Sequence, residues 1–209
     1  MSEGVKPRIA VLVSGAGRSL ENLAEVIARG ELRAELALVL SNSAEALALE
    51  RASRLGIESA VVPHREFQTP QAFSDAVFAH LDRKRVDLVV LAGFLRLLVI
   101  PNAWIGRVIN IHPSLLPAFG GKGFFGARVH QAVLERGVQF TGCTVHYVTN
   151  EYDAGPILLQ RCIAVGTRDD AHSLAERVFA EEKLALPEAI RRHLSSNASV
   201  QADRTHSKG

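Results

Sequence analysis

Apolar and polar positions alternate in blocks. Short β-branched runs are each followed by a segment with apolar residues every three or four positions. Residues 8–13 form the first such run, and after a turn at 14–19 Leu20, Leu23, Ala24 and Ile27 recur at helical spacing. The pattern predicts further strands at 34–40, 59–62, 87–92 and 108–111. The intervening helices fall near 44–55, closed by Gly56, and near 71–83. Residues 64–70 are polar and turn-like. Beyond Pro117 the rhythm changes: residues 118–126 hold four glycines, Lys122 and the pair Phe124-Phe125, and read as a mobile loop. A helix at 127–136 precedes strands at 143–148 and 157–165. Only a turn separates these strands, so they should pair antiparallel at a sheet edge. A closing helix spans 169–194, with Pro187 expected to kink or divide it, and the polar residues 195–209 are expected to form a disordered tail. Strand, helix, strand at this rhythm means a parallel sheet with helices on both faces. Residues 1–194 read as one domain.

Composition narrows the function classes. A chain of 209 residues with 47% hydrophobic content can bury a large core, and a formal charge of +2 implies no nucleic-acid surface. The most apolar stretch, 88–100, is short and interrupted by Arg96, so no membrane span is expected. Cys143 and Cys162 lie in strand-like runs and read as reduced core residues of a cytoplasmic protein. No metal is expected.

The candidate chemistry centres on Val108-Ile109-Asn110-Ile111-His112-Pro113, where a buried strand meets a loop. Asn110 and His112 are two apart, so an extended backbone sends both side chains to one face. Downstream, the turn Asn150-Glu151-Tyr152-Asp153 carries an acid. Amide, imidazole and carboxylate together suit polar catalysis on a carbonyl; the alternative is a capping asparagine and a locally bonded histidine. The turn Gly15-Ala16-Gly17 opens the first helix, where free amides favour an anion, and Arg18 and Ser19 add a charge and a hydroxyl. Leu20 breaks the Gly-x-Gly-x-x-Gly pattern, so a single phosphate fits better than a dinucleotide.

Several blocks occur in a telling order: Val13-Ser14-Gly15-x-Gly17, Leu91-Ala92-Gly93-Phe94-Leu95-Arg96, Asn110-Ile111-His112-Pro113-Ser114-Leu115-Leu116-Pro117, Gly142-Cys143-Thr144-Val145-His146 and Asp153-Ala154-Gly155-Pro156. Together they resemble the phosphoribosylglycinamide formyltransferase family, over about residues 8–190. The resemblance implies a Rossmann-like, mostly parallel seven-stranded sheet with helices on both faces and an antiparallel edge. It also implies formyl transfer from the co-substrate 10-formyltetrahydrofolate to the amine of glycinamide ribonucleotide, by a monomer or homodimer acting on small molecules. Asn110, His112 and Asp153 match the family's catalytic trio. Gly17, Arg18 and Ser19 match its phosphate loop, and Glu182 its acidic contact to the nucleotide. Leu95, Arg96, Leu97 and Leu98, with Asn110, Asn150, Glu151, Tyr152 and Asp153, match its folate contacts. His146 reads as core or support.

The chain departs from the family pattern at Ala16, at Arg18-Ser19, at Pro70 and in the longer loop after Pro117. The open alternatives are formylation of another phosphorylated amine, hydrolysis of formyltetrahydrofolate, and a silent folate- or nucleotide-binding protein. Methionyl-tRNA formylation is disfavoured because the chain ends without the C-terminal domain used there.

Overall fold

The computed structural model describes residues 5–206, with side-chain detail through Ser196. Seven strands form one sheet in the order β3-β2-β1-β4-β5-β6-β7. They are β1 (Arg8–Val13), β2 (Glu35–Ser41), β3 (Ser59–Val61), β4 (Leu88–Leu91), β5 (Val108–His112), β6 (Phe140–Tyr147) and β7 (Ile157–Ala164). The first five are parallel; β6 runs antiparallel to β5, and β7 antiparallel to β6. The helices are α1 (Arg18–Ala28), α2 (Leu47–Arg54), α3 (Pro70–Arg83), α4 (Ala127–Arg136) and α5 (Ala171–His206).

The period of two in the strands explains why the sheet is covered twice. On β1, Ile9, Val11 and Val13 pack into one apolar cluster with Leu20 and Leu23 of α1, Ala48 of α2 and Leu174 and Val178 of α5. Ala10 and Leu12, pointing the other way, pack with Phe73, Val77 and Phe78 of α3 and with Trp104. Both faces of a parallel sheet are thereby dry, so its strands read as continuous apolar runs.

Helix ends follow local chemistry. Thr69 caps α3 by accepting from the Ala72 N–H at 3.1 Å, with Pro70 at the first helical position. Asp170 and Ser173 form a reciprocal capping box at the start of α5.

Pro187 lies inside α5, which it does not divide. Two expectations change. Helix α5 runs on to His206, past the boundary expected at 194, because extending an existing helix through Ala, Gln and Arg needs no new nucleus; residues 207–209 of the expected tail lie outside the described residues. Cys143 is core, but Cys162 is exposed on the edge strand β7. Among the described residues, no helix is long and apolar enough to cross a membrane.

Candidate active site

The carboxyl ends of β1, β4 and β5 converge beside the place where the strand order reverses, between β1 and β4. An open parallel sheet offers its ligand crevice at such a point. Ser14, the residue after β1, ties the two loops together: its N–H donates to the Gly93 carbonyl at 3.0 Å, and its hydroxyl accepts from the Leu95 N–H at 2.9 Å. A cavity of about 830 Å³ opens there. It brings together the β1–α1 turn (15–19), Leu95, Asn110, His112, Tyr152, Asp153 and Glu182.

Cross-strand register builds the polar centre. Asn110 on β5 lies directly opposite His146 on β6, and the Asn110 Nδ2 approaches His146 Nε2 at 3.1 Å. His146 Nδ1 faces the Tyr147 carbonyl at 2.9 Å, and its Nε2 also lies 3.6 Å from Asp153 Oδ1. The second Asn110 amide hydrogen goes to Asp153 Oδ1 at 3.3 Å. His146, buried to 1% exposure, is therefore a support for the asparagine. Sequence spacing could not show this, since it depends on the β5–β6 register.

Asp153 is brought in by the β6–β7 turn. Its backbone is left-handed at φ 53°, unusual for a residue other than glycine. Gly155 makes the return possible, since a Cβ there would collide with the Tyr147 carbonyl oxygen. Asp153 Oδ2 lies 3.5 Å from His112 Nδ1 and accepts the Gly121 N–H at 2.9 Å. Burial pushes the Asp153 carboxyl up, but His146, His112 and the Gly121 N–H together outweigh it and hold it below its ordinary value.

His112 is 4% exposed and lies between two acceptors, Asp153 at Nδ1 and the Phe119 carbonyl 2.8 Å from Nε2. Burial pushes the imidazole below its ordinary value; Asp153 and the Phe119 carbonyl push back without cancelling it. Phe119 also has a positive φ, 55°, so two of the residues touching His112 hold strained backbones. The glycine-rich loop thus caps the imidazole through a main-chain oxygen, a contact no side-chain pattern could reveal.

Other expected residues divide. Arg96, Leu97, Leu98, Glu151 and Tyr152 line a smaller cavity of about 50 Å³ that shares Asn110 and Asp153 with the large one. Asn150 lines neither; its Oδ1 accepts the Ile100 N–H at 2.7 Å and holds the β4–β5 connection. Gly17, at φ 73°, sits where a Cβ would come within 2.6 Å of the Ala48 Cβ, so α2 packs directly on the turn. Arg18 begins α1, pairs with Glu176 on α5 and stacks over Phe179 at 3.8 Å. Glu182 is half-buried in the same wall, where burial pushes its carboxyl up to about 7 against the pull of Arg18.

One buried cavity residue was not anticipated. His130 on α4 is 4% exposed and its Nδ1 has no hydrogen-bond partner among the described residues. Its place within a helical apolar period gave no sign of the cavity. Among the described residues, no cluster of three or more His, Cys, Asp or Glu side chains is arranged to hold a metal ion.

Residues 7–190 match the formyl transferase family model. The chain is 41% identical over 198 residues to the trifunctional purine biosynthetic protein adenosine-3 of Gallus gallus, covering 94% of this chain and 19% of that one. It is 37% identical over 188 residues to the chloroplastic phosphoribosylglycinamide formyltransferase of Arabidopsis thaliana, covering 88% and 64%. It thus spans about a fifth of the first relative and under two thirds of the second. Among solved structures, glycinamide ribonucleotide transformylase 1 from Symbiobacterium toebii superposes with a TM-score of 0.84 at 40% identity, covering 90% of this chain and 88% of that one.

Proposed function

Because this chain belongs to the formyl transferase family, we propose that it transfers the formyl group of 10-formyltetrahydrofolate to the amine of glycinamide ribonucleotide, a step of purine synthesis. One observation carries this reading: a single cavity holds the amide-rich β1–α1 turn, the acid Glu182 and the trio Asn110, His112 and Asp153. The turn and α1 amides suit the phosphate, and Glu182 the nucleotide's sugar hydroxyls. Leu97, Leu98 and Val148, beside the backbone of 95–98, offer an apolar wall for a flat ring where the small cavity adjoins the large one.

The folate supplies the formyl carbon; the protein supplies position and proton transfer. The acceptor nitrogen bonds to that carbon while its bond to the folate nitrogen breaks. One proton leaves the amine and one reaches the departing nitrogen. Asn110 meets the negative charge that develops on the formyl oxygen. To do so it gives up one of its two present acceptors, and the 3.3 Å contact to Asp153 is the weaker. His112, kept largely neutral by burial, accepts the amine proton at Nε2 once the Phe119 carbonyl withdraws, and passes a proton to the leaving nitrogen. Asp153 orients the ring through Nδ1 and stabilises the imidazolium while it lasts.

The test is tetrahydrofolate formation with and without glycinamide ribonucleotide. Turnover that requires the acceptor is expected. Turnover of equal rate without it would replace this reading with formyltetrahydrofolate hydrolysis, and no turnover in either case would leave a binding protein.

A further inference from the structure

Arg18 is positioned for an anion, yet in the free protein it already holds one. Its Nη1 and Nη2 each lie 2.6 Å from an oxygen of Glu176, a two-pronged pair between the start of α1 and α5. The guanidinium plane rests on the Phe179 ring, 3.8 Å from its centroid. Arg18 and Phe179 line the large cavity beside Gly15, Ala16 and Gly17, so the pair stands at the edge of the amide-rich turn. Carboxylate and phosphate present the guanidinium fork with the same geometry.

We propose that Glu176 is an internal competitor that holds Arg18 in place of the acceptor's phosphate and yields it when that phosphate arrives, so that it sets the affinity for the phosphorylated acceptor. This rests on the reading of the turn as the phosphate site. Both side chains are over two-fifths exposed, so the pair is weakly held and screened by water. A phosphate in the turn carries up to two charges, meets the unpaired first amides of α1, and outcompetes a single carboxylate for the same fork. Phe179 keeps the guanidinium plane fixed during the exchange, so the cation is handed over without a large rearrangement. An uncharged amine has nothing to offer Arg18 and leaves its pair with Glu176 in place.

The prediction is opposite in sign to that for a merely structural ion pair. Equilibrium binding of glycinamide ribonucleotide, and of its unphosphorylated riboside, is measured in the intact protein and in Glu176→Gln, Arg18→Ala and the double variant. Glu176→Gln should bind the ribonucleotide about three- to fivefold more tightly, with the riboside unchanged. Arg18→Ala should bind the ribonucleotide more weakly, and Glu176→Gln should give no gain in that background. Weaker binding in Glu176→Gln, or a gain that persists without Arg18, would overturn the exchange while leaving the phosphate site intact. No loss in Arg18→Ala would instead remove the arginine from that site, and the exchange with it. Thermal unfolding of each variant separates these outcomes from a loss of fold.

Discussion

Glu182 shows how far one side chain can set the balance between stability and binding. Its carboxyl is raised to about 7 by burial, so between the ordinary value of 4.5 and about 7 the folded protein binds a proton that the unfolded chain does not. A raised carboxyl contributes its stability at low pH and loses it as pH rises through the folded value. Glu182→Gln should therefore raise the urea midpoint at about pH 8, and that advantage should vanish near about pH 4. A gain of equal size at both pH values would mean the benefit is packing and not charge. The acid was visible in the sequence only through the family pattern, because its burial arises from α5 lying across the cavity. The same limit applies to Arg18: its charge was legible, but its partner Glu176 is 158 residues away.

At the scale of elements, the strands and the helices before Pro117 were legible because both periods are strongly written there. The loop 118–126 was legible only as irregular. Its role follows from two main-chain contacts, the Phe119 carbonyl on His112 and the Gly121 N–H on Asp153, which depend on backbone course and not on residue type. The proposed proton transfer at His112 Nε2 requires the Phe119 carbonyl to give way to ligand as the cavity fills. Amide hydrogen exchange across 118–126 should slow when folate and acceptor analogues are both present. Full protection of those amides in the free protein would contradict a loop that rearranges onto ligand.

For the whole molecule, the sheet brings together groups that the sequence keeps far apart. It also buries several histidines. His112, His130 and His193 are all pushed below the ordinary value of 6.5, with burial as the leading cause. The unfolded chain therefore binds more protons below that value, so folding stability should fall as pH drops through about 6.5. Glu182 acts in the opposite direction over part of this window, so the decline should be steeper in Glu182→Gln than in the unaltered protein; a flat urea midpoint in that variant would contradict the burial argument. The same architecture places His112 and Asp153 3.5 Å apart, across β5 and the β6–β7 turn; the proposed function has them act as one unit. Single-turnover formyl transfer measured for His112→Ala, Asp153→Asn and both together tests it most directly. Each single change should lower the rate by about two to four orders of magnitude, and the double variant should be little worse than the poorer single one. Two losses that multiply cleanly would show that the two residues act apart.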